Sequence, residues 1–183
     1  GLEGAWRFVN RLVRLAEARA PELTPEMSTR PDFFSDAAQK LRSIAHQTLH
    51  NVGQDIDNFH MNKAIARLRE LANAVEGFTP EDAEDRWALR ESFCFLIQGL
   101  NPMIPHVTEE IWERLGHKEW LVKTPWPKID EKLLVNKTVT IAVQINGKLR
   151  ATIDLPAGLD KNATEQAAMK HEAVMRAIGA KSV

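Results

Sequence analysis

The sequence predicts a mainly α protein: an antiparallel helical bundle followed by a small, truncated α+β module with a β-hairpin. Two periodicities carry that expectation. Up to residue 116, apolar residues recur at the three- and four-residue spacing of a helix face, in five stretches separated by Pro, Gly and Asn. From Thr138 onward the period is two. The third observation is bulk composition: 183 residues, 44% apolar and 27% charged, have the balance of a globular chain able to fill a bundle core. The expected division is a bundle over 1–116, a Trp/Pro linker over 117–135 and a partial α+β domain over 136–183.

Residues 2–19 form the first expected helix, with Phe8, Leu12, Ala5, Val9, Ala16, Val13 and Trp6 on one broad side and Arg7, Arg11 and Arg14 opposite. Pro21 and Pro25 stop it. A long second helix is expected from Asp32, as its cap, to Phe59, with a stripe through Phe34, Ala37, Leu41, Ile44, Leu49, Val52 and Ile56. Asn62 is placed to cap a third helix, with Ala64, Ile65, Leu68, Leu71, Ala72 and Val75 inward and Gly77 at its end. Thr79-Pro80-Glu81-Asp82 reads as the start of a fourth, with Thr79 as cap and Pro80 in the first turn. Asn101-Pro102 breaks that helix, and a fifth runs from Pro105 to Leu115 before Gly116.

The linker holds Trp120 and Pro125-Trp126-Pro127, and its tryptophans are the expected pins to the bundle. Beyond it, Val139, Ile141, Val143 and Ile145 alternate with polar or small residues, as do Leu149, Ala151, Ile153 and Leu155, around Asn146-Gly147. A two-residue loop would put Val143 opposite Arg150. A three-residue loop, Ile145-Asn146-Gly147, faces Val143 with Leu149 and is the expected solution. A helical stretch from Asn162 or Thr164 passes through Met169, Val174 and Ile178, and another strand is expected to begin near 181–183. A lone hairpin is marginal in water, so this module is expected to be truncated. The chain also opens at Gly1 directly on a helical pattern, as a piece of a longer protein would.

Composition excludes several classes of function. Net charge is −1 with an isoelectric point near 6.7, so no global basic signature for nucleic acid exists, and RNA contact must come from local patches. With five Trp, seven Phe and no Tyr, a tyrosine stacking surface is excluded. A single cysteine, Cys94, excludes an internal disulfide and a multi-cysteine zinc site. No apolar run reaches membrane-span length, and residues 1–20 lack the apolar core of a signal peptide.

Leu100-Asn101-Pro102-Met103-Ile104-Pro105-His106-Val107-Thr108-Glu109-Glu110-Ile111-Trp112 resembles the helix-break-helix hallmark of the anticodon-binding domain of class I synthetases for aliphatic amino acids. Trp6-Arg7-Phe8-Val9-Asn10-Arg11 is similar to the first helix of that domain. Val139-Thr140-Ile141-Ala142-Val143-Gln144-Ile145-Asn146-Gly147-Lys148-Leu149-Arg150 resembles the start of the C-terminal domain appended to bacterial-type leucyl-tRNA synthetases, and separates them from valyl and isoleucyl relatives. The resemblance covers nearly the whole chain but a minor, C-terminal part of the family's full length. It implies a parent enzyme that joins leucine to its tRNA with ATP and Mg, acting in the cytoplasm as a monomer. The ATP-site signatures and the editing insertion are absent here, so the fragment is expected to hold no cofactor or metal and no catalytic site. Its expected partners are leucine-accepting tRNA and the remainder of the synthetase, with no membrane.

Arg7, Arg11 and Arg14 are the first RNA-facing candidates, because a guanidinium fork grips phosphate with two parallel hydrogen bonds. The bland alternative is a solvated helix face pairing with Glu3 or Glu17. Lys148 and Arg150, on the polar face past the turn, are the second pair; family analogy places that domain against the outer corner of the tRNA, while strand-edge charges are the bland alternative. His46 and His50 stand at helical i, i+4 spacing, but Gln47 replaces the Glu of a zincin motif, which makes them a polar stretch beside the apolar stripe. His106 is expected to bond a nearby carbonyl in the helix break, Cys94 to be a small buried apolar residue, and Trp6, Trp87 and Trp112 to lie in the core. A module that packs against the synthetase body and touches RNA little is the competing reading, favoured by the near-neutral charge.

Overall fold

The computed structural model describes all residues except 1, 27, 135–137, 146–147, 157–160, 172–173 and 176–183, with residues 138–140, 145, 148–150, 154 and 156 described as backbone. The order of elements is α1 (Leu2–Arg19), α2 (Asp36–Asp57), α3 (Met61–Gly77), α4 (Ala83–Leu100), α5 (Pro105–Arg114), β1 (Thr138–Ile145), β2 (Lys148–Pro156) and α6 (Lys161–Lys170). Short 3-10 turns occupy Ala20–Glu22, Leu121–Lys123 and Glu131–Leu133. The chain divides into two compact units, Gly1–Leu134 and Val135–Val183. A mainly α bundle followed by a small hairpin unit is the architecture the periodicities predict.

In the first unit, α2 packs against α3 and α4, α4 against α5, and α5 against α1. Each helix buries one stripe, and the stripes meet in a core that includes Leu12, Leu49, Leu68, Leu71, Phe93, Leu96, Ile97 and Ile111. Gly99 permits the closest approach: a Cβ there would stand 2.7 Å from Leu68 Cδ2.

Three helix starts differ from expectation, and at two of them the cap is the residue whose side chain reaches a free backbone N–H, not the first candidate in the sequence. Ser35 Oγ, not Asp32, accepts from Ala38 N at 3.0 Å and opens α2. Asp82, not Thr79, accepts from Asp85 N at 2.7 Å and opens α4. Asn62 lies inside α3, whose N-cap His60 supplies no side-chain hydrogen bond. The α2 helix also ends at Asp57, and Phe59 sits beyond it with φ 57°.

The segment from 117 to 134 belongs to the first unit, and its tryptophans are not buried in the core: Trp120 is 63% and Trp126 43% exposed. Buried Leu121 and Leu133 hold the segment, together with hydrogen bonds described below. Trp6 is likewise 67% exposed rather than core, whereas Trp112 is buried and Trp87 half-buried with its Nε1 donating to Ser28 O at 3.2 Å.

In the second unit β1 and β2 form an antiparallel pair. Val139 pairs with Leu155, Ile141 with Ile153 and Val143 with Ala151, so apolar positions face apolar positions. The expected route to that alignment was wrong. Ile145 pairs with Lys148 and Gln144 with Leu149, which leaves a two-residue connection, and a bulge between Val143 and Gln144 restores the phase. Val143 therefore does not face Leu149. Ile153 and Val174 are buried in this unit. The α6 helix ends at Lys170, short of Val174; Ile178 and the strand expected near 181–183 lie outside the described residues.

Candidate nucleic-acid interface

The α1 arginines are divided by the way the helix is seated. Phe8, Leu12, Leu15 and Ala16 are its buried residues, while Ala5 and Trp6 are exposed. Leu15 turns the buried face toward the arginine side, and Arg11 is left at its margin. There Arg11 Nε donates to Glu76 Oε2 at 3.0 Å and Nη2 donates to Asn73 Oδ1 at 2.8 Å, tying α1 to α3. Arg7 remains exposed, with Glu3 Oε1 4.0 Å away. Arg14 is exposed and makes no hydrogen bond or ion pair with any described residue. Glu17, one expected partner for these arginines, binds Arg114 on α5 at 2.8 Å instead. The stripe thus presents two exposed guanidiniums, Arg14 without a described partner and Arg7 in a loose pair with Glu3, beside a third that is a structural tie.

Lys148 and Arg150 are brought to β2, Lys148 paired across the ladder with Ile145. Arg150 falls at the bulge, where the two-residue alternation expected to hold both on one face is interrupted.

Two buried polar clusters went unforeseen. On α2, Arg42 is 2% exposed, donates through Nε to Glu91 Oε2 at 2.6 Å, and lies 4.2 Å from the Phe34 ring centroid. His46, also buried, accepts from Asp130 N at Nδ1 (3.0 Å), so its ring proton is on Nε2, which faces Glu91 Oε1 at 3.4 Å. Burial pushes the Glu91 carboxyl up, but the nearby His46 ring and the Arg42 hydrogen bonds outweigh it and hold the group below the usual carboxylate range. His46 is therefore a core residue rather than part of an open polar stretch, while His50 is exposed and pairs with Gln54.

The second cluster centres on Arg90, which donates to Thr24 O at 2.8 Å and Leu115 O at 3.0 Å. His117 stacks on Trp112 with ring centroids 3.5 Å apart, meets Glu26 Oε1 at 2.6 Å through Nδ1, and turns Nε2 toward Arg90 (3.2 Å) and Cys94 Sγ (3.4 Å). Cys94, His117 and Glu26 have the order of a nucleophile, base and orienting carboxylate. The setting of the thiol opposes that role. Burial pushes the Cys94 thiol up to about 12, and desolvation, reinforced by Arg90, lowers the His117 pKa despite Glu26. The cluster is a packed connection between α4, α5 and the loop after α1. The sequence did carry a signal for both clusters: Arg42, His46 and Arg90 occupy stripe positions, where a charge must find partners.

His106 is exposed; the helix break is bonded instead by Thr108, whose Oγ1 donates to Ile104 O or Pro105 O and accepts from Asn101 Nδ2 at 3.0 Å. Among the described residues no group of three or more His, Cys, Asp or Glu is placed to hold a metal ion, and no helix is long and apolar enough to cross a membrane.

Residues 38–165 match the family described as the anticodon-binding domain of tRNA ligase. The chain belongs to that family. Curated relatives include the leucine–tRNA ligases of Parvibaculum lavamentivorans, 45% identical over all of this chain, and of Paramagnetospirillum magneticum, 42% identical over 99% of it. The chain spans about a fifth of these relatives' length, 21% in each case. The fold matches the LeuRS of Agrobacterium radiobacter K84, solved in a ternary complex with tRNA and LeuAMS, with a TM-score of 0.73 at 23% identity over 97% of this chain and 23% of that one. The family's anticodon-binding label attaches to the region holding the helix break at Asn101-Pro102 and the hairpin. Arg7, Arg11 and Arg14 precede the matched residues.

Proposed function

We propose that this chain is the tRNA-docking C-terminal portion of a leucyl-tRNA synthetase whose whole length joins leucine to its tRNA using ATP. The observation that carries the reading is the 45% identity to a leucine–tRNA ligase along all 183 residues, bundle and hairpin together. In this role the bundle and the hairpin unit hold and position tRNA, while activation of leucine and editing belong to other parts of the enzyme. Exposed Arg7 and Arg14 suit phosphate contacts; Lys148 and Arg150 are the corresponding candidates on the second unit.

Filter binding of leucine tRNA over a range of salt tests this. Arg7→Glu with Arg14→Glu is expected to weaken binding and to flatten the dependence of log K on log salt by about one unit per lost phosphate contact. An unchanged slope removes the α1 stripe from the interface. A second reading, a scaffold that packs on the synthetase body, is supported by the Arg11 tie to Glu76 and Asn73 and by the net charge of −1. It predicts that both substitutions leave affinity and slope unaltered.

A further inference from the structure

The segment after α5 is held firmly yet displays tryptophan. Glu109 accepts from Leu121 N and Val122 N, each at 2.8 Å. Further on, Asp130 N donates to His46 Nδ1 at 3.0 Å, and Gln47 Nε2 donates to Leu133 O at 3.0 Å. Trp126, between these anchors, and Trp120 and Val122, at the first of them, stay exposed. Fixing a backbone so that it presents indole to water adds nothing to the core, and grouped exposed apolar residues mark contact sites.

Trp126 walls a small cleft of about 90 Å³ together with Val122, Pro127 and, from the end of α4, Gln98, Asn101 and Pro102. The indole is supported from α2: a Cβ on Gly53 would stand 4.0 Å from Trp126 Nε1. The Asn101 amide is engaged by Thr108, whereas the Gln98 amide makes no hydrogen bond with any described residue. Next to lining residues in the chain, Lys123 (between Val122 and Thr124) and Lys128 (after Pro127) are exposed and form no ion pair with any described residue. Between residues 118 and 128 Glu119 is the one acid; the Glu109 carboxylate is occupied by backbone N–H groups, and Asp130 is 3.5 Å from Arg30. A chain with a net charge of −1 therefore gathers open cations beside an aromatic wall and a free amide.

We propose that this cleft receives one unpaired nucleobase of an RNA strand. The base stacks on the Trp126 indole, the Gln98 amide bonds the base edge, and Lys123 and Lys128 meet the flanking phosphates. The inference rests on the RNA-docking role proposed above and adds a point at which one base leaves its stack. The lysines favour this occupant over a protein segment, because their charge complements phosphate.

The test follows the tryptophan indole N–H signals of the 183-residue chain by NMR, assigned through single Trp→Phe substitutions. Octauridylate, octaadenylate and a blunt RNA duplex of equal charge are titrated in turn. The expected result is a Trp126 shift with the single strands and none with the duplex. Trp126→Leu is expected to weaken single-strand binding at least about fivefold, with Trp126→Phe retaining most of it. Retention of the Trp112 signal, set by its stack on His117, confirms that each variant is folded. If other signals move with RNA while Trp126 stays still, the cleft assignment is overturned and the docking role stands. An equal Trp126 response to the duplex overturns it as charge contact alone. A shift that depends on protein concentration without RNA assigns the cleft to protein contact and overturns it. Silence of every signal with every RNA overturns it together with the docking role.

Discussion

Glu91 carries the largest single-residue consequence. It is the shared partner of buried Arg42 and His46, and losing it leaves a guanidinium without its counter-charge in the core. Removing one partner of a buried pair costs about 3–5 kcal/mol, whereas exchanging the whole set for apolar residues can be neutral. Glu91→Gln is expected to lower unfolding stability by about 3 kcal/mol in urea titrations. His117 gives a prediction in pH. Its folded pKa is depressed from the ordinary 6.5, so the neutral ring's contribution is present above that value and is lost as pH falls through the lower folded value. The depressed Glu91 carboxyl acts in a separate window, its contribution fading only as pH falls below the ordinary 4.5. Between 6.5 and 4.5 the melting temperature is expected to fall with pH, and His117→Phe, which keeps a ring on Trp112, is expected to reduce that slope. An identical slope in the variant would assign the loss to another group.

The helices test capping and close approach. Asp82→Ala removes the side-chain acceptor at the start of α4 and is expected to cost about 1 kcal/mol, whereas Thr79→Ala is expected to change little. Gly99→Val forces branched carbons against Leu68 and is expected to cost at least about 1 kcal/mol through overpacking. Both are read from denaturant midpoints at unchanged m-value. These elements also mark what the sequence made legible. Of the expected α3 stripe, Ala64, Leu68, Leu71, Ala72 and Val75 are buried and Ile65 is half-buried at its margin; the stripe is legible because periodicity depends on residues spread along a whole helix. Asp32 and Thr79 are not the caps, because a cap is decided by one side chain reaching one N–H, which composition does not encode, while α3 starts ahead of Asn62 with no side-chain cap. The seating of α1 hinged on Leu15, a single residue, and it changed Arg11 from an open cation into a tie. The hairpin's apolar pairing was legible, but a bulge and a longer loop both set apolar positions opposite apolar positions, in registers two residues apart, and leave the same sequence pattern. In the candidate site, exposed Arg7 and Arg14 were visible in the pattern. The exposure of Trp126 was not, since only the path of the chain across α2 and α4 decides which indoles are covered.

At the scale of the whole molecule, the core cluster lies within residues 1–134, and the described residues of the second unit form a two-stranded sheet and one helix. A chain ending at Leu134 is therefore expected to keep a cooperative melt and the Trp112–His117 stack, whereas 135–183 alone is expected to be marginal, as two-stranded sheets are. Circular dichroism of the two pieces checks this; loss of the melt in 1–134 would mean that the bundle needs the hairpin unit. Leucine tRNA binding measured with and without 136–183 then assigns or removes a role for Lys148 and Arg150. The hydrogen bond from Asp130 to His46 has a further consequence. It joins the buried Arg42–Glu91–His46 set to the strap that carries Trp126, so the seating of that strap depends on which residues fill the core. Across diverged relatives, positions 42, 46 and 91 should then change together or not at all. Lineages that have exchanged the set for apolar residues should also show altered spacing between Pro127 and Leu133, because the backbone N–H at 130 must find another acceptor.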